Sequence, residues 1–177
     1  MFSSSWLRKR TTKHHPSATH RSRAPRFRPR LEALEDRWLP STLTVTTTAD
    51  SGPGSLRAEI AAAASGDTIV FAPSLDGQTI TLTSGELLLN QNLTIQGPGA
   101  AQLAISGNQL SRVFEVAANM QVTLAGLTIL NGNVGVEVAG GGIYNNGGTV
   151  ALRHTAVTGN RPTNCAGSSP PIAACSG

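Results

Sequence analysis

The feature that most constrains this chain is an internal repeat of short apolar runs. Val122-Thr-Leu-Ala-Gly-Leu-Thr-Ile-Leu-Asn-Gly-Asn133 is echoed by Val150-Ala-Leu-Arg-His-Thr-Ala-Val-Thr-Gly-Asn160. Val122 matches Val150, Leu124 matches Leu152 and Ile129 matches Val157, all at an offset of 28, and both blocks end in Gly-Asn. A second register sets Phe114-Glu-Val-Ala117 against Val136-Glu-Val-Ala139 at an offset of 22. Similar runs recur at Leu43–Thr47, Thr68–Phe71, Thr79–Leu82, Leu87–Leu89, Leu93–Ile95, Leu103–Ile105, Val113–Val116, Leu127–Ile129, Ile143–Tyr144 and Ala156–Val157. Such brevity at near-even spacing indicates a sandwich, a barrel or a solenoid. A period of about 20–50 residues decides for the solenoid. Both offsets fall near one coil of a parallel β-helix with a corner loop of variable length.

That fold suits the residues. Stacked coils pair short parallel strands about 4.8 Å apart, and inward Leu, Ile and Val form continuous rows. Glycine at the corners allows positive φ. Asn131, Asn133, Asn145, Asn146 and Asn160 are placed to stack amides between rungs. Aromatic residues, at 4%, would crowd so narrow an interior. One helix is marked: Ser55 is a good N-cap, Leu56, Ile60 and Ala63 share a face, and Gly66 stops it. Laid across an open end of the solenoid, a helix over about 55–65 would cover apolar surface and strand edges.

The net charge of +4 averages two unlike segments. Residues 1–40 carry ten cations and three acids, net +7; residues 41–177 carry four cations and seven acids, net −3. The first thirty residues have too little apolar surface to offset chain entropy and read as a disordered basic leader. A targeting segment, a nucleic-acid arm, a membrane-surface contact and a solvated tail remain open. Targeting fits best: no stacking aromatics are interleaved and the body is acidic, so no nucleic-acid partner is expected. No apolar stretch follows the charges as in a standard secretory signal, and no run is long enough to span a membrane. Leu31, Leu34 and Trp38 form one stripe of a short helix that Pro40 stops. A helix so short needs a partner.

Three resemblances follow from these residues. Arg28-Pro-Arg30-Leu31-Glu32-Ala-Leu34-Glu35-Asp36-Arg37, followed by Leu39-Pro40-Ser41, resembles an N-terminal sorting motif of large extracytoplasmic proteins of planctomycete bacteria. It implies export, a leader ending near residue 40, and an extracytoplasmic, surface or secreted location. The other reading of the stretch is a plain amphipathic linker helix. Asp50-Ser-Gly-Pro-Gly-Ser-Leu-Arg-Ala-Glu-Ile60, with Gly66-Asp-Thr-Ile-Val-Phe71, is similar to the opening of bacterial surface β-helix proteins that carry a Cys-Ser-Leu-Arg-Glu-Ala motif. This chain has Gly54 at the Cys position and Ala58-Glu59 where that motif has Glu-Ala. Gly140-Gly-Gly-Ile-Tyr-Asn145 is similar to the Gly-Gly-Ala-Ile repeat of chlamydial polymorphic outer-membrane proteins and related adhesins. The fold expected is therefore all-β: a right-handed parallel β-helix of pectate-lyase-like kind over 41–160, between the leader 1–40 and a disordered tail 161–177.

Several relatives of that fold cut acidic polysaccharides, lyases with clustered carboxylates for calcium and hydrolases with paired ones. The body's acids are scattered. The best pair is Glu115 and Glu137, set one rung apart by the offset of 22, with Arg112 and Arg153 as nearby cations. Two solvated strand residues are the commoner meaning of such a pair, and His154 reads as surface. No triad spacing, phosphate loop or metal cluster appears, so neither cofactor nor metal is expected. In the tail, Cys165 and Cys175 can form a disulfide in an oxidising compartment. Some four or five coils with a helix at one end and nothing obvious at the other read as a truncated or frame-shifted part of a longer protein. The counterpart is a short protein whose open end self-associates. The function expected is a structural, adhesive or binding surface module, with cell-surface polysaccharide or other surface proteins as partners. The alternative is a polysaccharide lyase or glycoside hydrolase.

Overall fold

The computed structural model describes residues 39–135, 139–167, 171–173 and 175. The chain divides into two units, Met1–Arg37 and Trp38–Gly177. The basic leader up to residue 38, with the stripe Leu31, Leu34 and Trp38, lies outside the described residues.

Within the second unit the chain runs from β1 (Thr42–Val45) into helix α1 (Leu56–Ala62) and then repeats three short strands per coil. The first coil is β2 (Thr68–Phe71), β3 (Gln78–Thr81) and β4 (Leu87–Leu89). The second is β5 (Leu93–Gln96), β6 (Leu103–Ser106) and β7 (Phe114–Val116). The third is β8 (Gln121–Ala125), β9 (Thr128–Leu130) and β10 (Ile143–Asn145). The fourth is β11 (Thr149–Arg153), β12 (Ala156–Thr158) and β13 (Cys165–Gly167). Equivalent strands stack into three walls, ordered β1-β2-β5-β8-β11, β3-β6-β9-β12 and β4-β7-β10-β13. All their pairings are parallel. The unit is a parallel β-helix of four coils.

The alternation within each strand explains the walls. In β4, Leu87 and Leu89 are buried and Leu88 points out. The same pattern recurs in β5, β7 and β8. Register then aligns the inward residues into rows. Ile69, Ile95, Leu124 and Leu152 make one row; Ile80, Ile105, Ile129 and Val157 make another. Each fully buried Leu, Ile or Val contributes about 1.5–3 kcal/mol by leaving water. The row Leu89–Val116 continues into Asn145, a buried polar side chain, and then Gly167. The Asn145 amide gives a hydrogen bond to the Gly148 carbonyl at 2.9 Å and accepts one from the Gly148 N–H at 2.8 Å.

Helix α1 stands where the second and third strands of a coil before β2 would stand. Only the β1 wall extends past the first coil; the other two walls begin at β3 and β4. The helix fills that gap and buries Leu56 and Ile60 in the common core. Ser55 caps it, its hydroxyl accepting from Ala58 N–H at 3.2 Å and donating to the Gly52 carbonyl at 2.7 Å. Two carboxylates tether the cap. Asp50 takes Arg57 at 2.8 Å and the backbone N–H of Ser84 at 2.8 Å, and it also accepts from the Ser84 hydroxyl. Asp67 accepts from the N–H groups of Ser41 at 2.7 Å and Ala64 at 2.8 Å. Arg57 also donates to the carbonyls of Gly85 and Glu86, so the helix is fastened to the corner between β3 and β4.

Three expectations need correction. The offset of 28 is the true register, pairing Val122 with Val150. The offset of 22 is not. Phe114–Val116 pairs with Ile143–Asn145 on one edge and Leu87–Leu89 on the other, so no edge is left for the look-alike 136–138. That triplet falls in the long corner between β9 and β10 and lies outside the described residues. The tail is also not pattern-free: Cys165–Gly167 forms β13 on the edge of β10, and Ile172 is buried in the core. Small residues hid this strand, because its pairing rather than its own apolar alternation defines it. Finally, the corner asparagines do not form one amide stack. Asn160 accepts from Gly132 N–H at 2.8 Å and donates to the Ile129 carbonyl at 3.1 Å, tying the last two coils through backbone.

Candidate functional site

Described residues that bring charge together lie at the corner between the β3 wall and the β4 wall. Arg112 lies two residues before β7, and its side chain is 8% exposed. Its Nη1 donates to Glu86 at 2.6 Å and to Glu115 at 3.0 Å. Its Nε donates to the Gly140 carbonyl at 2.9 Å. The guanidinium lies over the Tyr144 ring, 4.7 Å from its centre. Glu86 enters β4, Glu115 is the outward residue of β7, and Tyr144 is its rung neighbour on β10. One cation thus clasps three successive coils.

The two carboxylates are unequal. Burial pushes the Glu86 carboxyl up, Arg112 pulls it back, and the Glu115 carboxylate beside it pushes it up again, leaving it above the usual range. Glu115 is the better buried, 21% exposed against 36% for Glu86. Its other oxygen accepts from the Asn146 amide at 3.4 Å.

Beside this cluster runs an open groove of about 830 Å³. Ser84 and Glu86 line it from the first coil, Gln109 to Arg112 from the second, and Asn133 to Gly135 from the third.

The residues singled out from sequence fall as follows. Glu115 is at the cluster, but its carboxylate neighbour is Glu86, not Glu137, which lies outside the described residues. Arg112 is at the cluster. Arg153 and His154 are exposed at the end of β11, on a different wall. Of the sorting motif, Arg30, Leu31, Glu32, Leu34, Glu35, Asp36 and Arg37 lie outside the described residues, while Leu39 is 82% exposed and Pro40 is also exposed. Cys165 and Cys175 are joined by a disulfide, with Cα atoms 6.1 Å apart. Among the described residues no group of three or more His, Cys, Asp and Glu side chains is placed for a metal, and no helix is long and apolar enough to cross a membrane. Sequence reasoning missed Glu86 and Tyr144. Leu87 pairs with Phe114, which sets Glu86 beside the Arg112-Val113 stretch, a neighbourhood that only the register of the β4 wall discloses.

No family model, curated protein or solved structure matches the chain. The fold and this cluster define a class, the parallel β-helix with a helical end cap and a charge clasp at one corner.

Proposed function

We propose that this chain is an exported β-helix module of the cell surface or extracellular space, with a structural, adhesive or binding role. The observation that carries the reading is the Cys165–Cys175 bridge. Such a bridge persists in oxidising compartments and is rare in the cytosol. The basic leader and the sorting-type residues 28–41 support the same destination, and β-helix walls supply a rigid scaffold for corner loops. The charge cluster supports a scaffold role as well, because Arg112 is engaged on three sides by the protein itself. Expression of the full chain in a planctomycete host tests this. The expected result is an extracytoplasmic protein whose thiols resist maleimide until reduced, and cytoplasmic retention after deletion of residues 1–40. A cytoplasmic full chain with two free thiols would sink the proposal.

A second reading, a polysaccharide lyase or hydrolase, is favoured by one observation: the raised Glu86 carboxyl beside Glu115, an arrangement that suits proton transfer. Product release from acidic and neutral glycans decides it. Under the scaffold reading the wild type releases nothing; release that disappears in Glu86→Gln and Glu115→Gln would replace that reading with an enzyme.

A further inference from the structure

We propose that the groove at the corner between the β3 and β4 walls binds an extended, uncharged, hydroxyl-rich chain, a neutral glycan. The proposal deepens the surface-module reading and rests on it for its setting. Three observations carry it.

The groove is built from corners of three successive coils and holds about 830 Å³, inside the range of about 300–1,000 Å³ usual for ligand clefts. Its rungs are about 4.8 Å apart, close to the advance of one hexose in an extended chain. Successive sugars would therefore meet successive corners.

Among the described residues, the lining carries hydrogen-bonding groups without a protein partner. Gln109 is held at φ 59 by its own N–H, which donates to the Asn131 carbonyl at 2.7 Å. Its carboxamide bonds no described residue. Asn133 uses its oxygen on the Gly135 N–H, and its amide nitrogen bonds no described residue. Glu86, held by Arg112 and by the Glu115 carboxyl beside it, closes the polar rim of the groove. Beside these donors and acceptors Leu110 is 73% exposed, next to Val134, and offers an apolar surface for the C–H faces of sugars.

Charge selects among glycans. The cation at the groove, Arg112, is matched by Glu86 and Glu115, and residues 41–177 are net acidic. A polyanion gains nothing here and is repelled by the surroundings.

The test uses the purified full chain in native affinity electrophoresis with galactomannan, xyloglucan, mixed-linkage glucan, polygalacturonate and an uncharged Gly-Ser-Asn peptide. The expected result is retardation by at least one neutral glycan, weakened about tenfold in Gln109→Ala/Leu110→Ala. Both side chains are exposed, so the variant keeps its fold, which circular dichroism checks. Thr94→Ala, on another wall, should bind as the wild type does. Retardation by no neutral glycan, an undiminished double variant, stronger retardation by polygalacturonate, or binding of the peptide instead would each overturn the proposal. None of these outcomes depends on where the chain resides, so an export failure and a binding failure are separate results.

Discussion

At the residue scale, the clasp and one glycine make the sharpest predictions. Arg112→Met leaves two carboxylates facing each other with no cation. It should lower stability at neutral pH by about 2 kcal/mol, below the 3–5 kcal/mol of a fully buried pair because both acids are partly solvated. Urea midpoints read the loss, and the gap to wild type should narrow as acid protonates the pair. Glu86 behaves oppositely to most carboxylates. Its folded-state value lies above the unfolded one, so folding binds its proton more readily and its penalty at neutral pH fades as pH falls through the raised value. Glu86→Gln should therefore not lower the neutral-pH midpoint; a marked drop would contradict this account. Gly54 has φ +76, and a Cβ there would collide with the Thr46 hydroxyl. Gly54→Ala should lower stability by at least 1–2 kcal/mol, roughly the penalty of a left-handed L-residue. The Cys of the motif this segment resembles would meet the same obstacle in this backbone.

At the scale of elements, the cap and the last strand are held by different means. Asp50 ties α1 to the first corner. Burial alone would raise its carboxyl, but bonds from Ser84, Arg57 and Thr83 and the charge of Arg57 hold it at about 2, against 3.8 when free. Its contribution is complete above the unfolded value and is lost as pH falls from 3.8 toward 2. Asp50→Asn should remove that portion of the acid transition, and hydrogen exchange in α1 should rise first. β13 depends instead on its covalent staple. Cys165→Ser with Cys175→Ser should cost about 2–3 kcal/mol for so short a loop, with exchange rising in β13 before β10. These elements also show what a sequence can and cannot disclose. The apolar runs correspond to strands because each supplies its own large apolar side chains to a wall, by alternation as in Leu93–Gln96 or as an unbroken run as in Leu87–Leu89. Cys-Ala-Gly supplies none, and only the edge of β10 makes it a strand. Glu115 and Arg112 were visible as candidates. Glu86 was not, because its meeting with them depends on wall register, and the Val-Glu-Val look-alike pointed to a different partner.

At the scale of the whole molecule, stability should grade along the axis, since each coil touches only its neighbours. Leu124 and Ile129 are fully buried in the third coil, while their successors Leu152 and Val157 in the fourth are only partly so. Leu124→Ala should therefore destabilise more than Leu152→Ala, by 1 kcal/mol or more, and chemical unfolding should begin at the fourth coil. The coils are also unequal in length. Thr68 aligns with Thr94, Leu93 with Val122 and Thr149 with Gln121, yet the walls stay in register. The corners absorb every difference. Such a chain keeps count of rungs and not of residues, so between its anchored ends at Gly132 and Gly140 the corner after β9 can change length without shifting the rows inside. What this corner presents can thus be rewritten without changing how the chain folds.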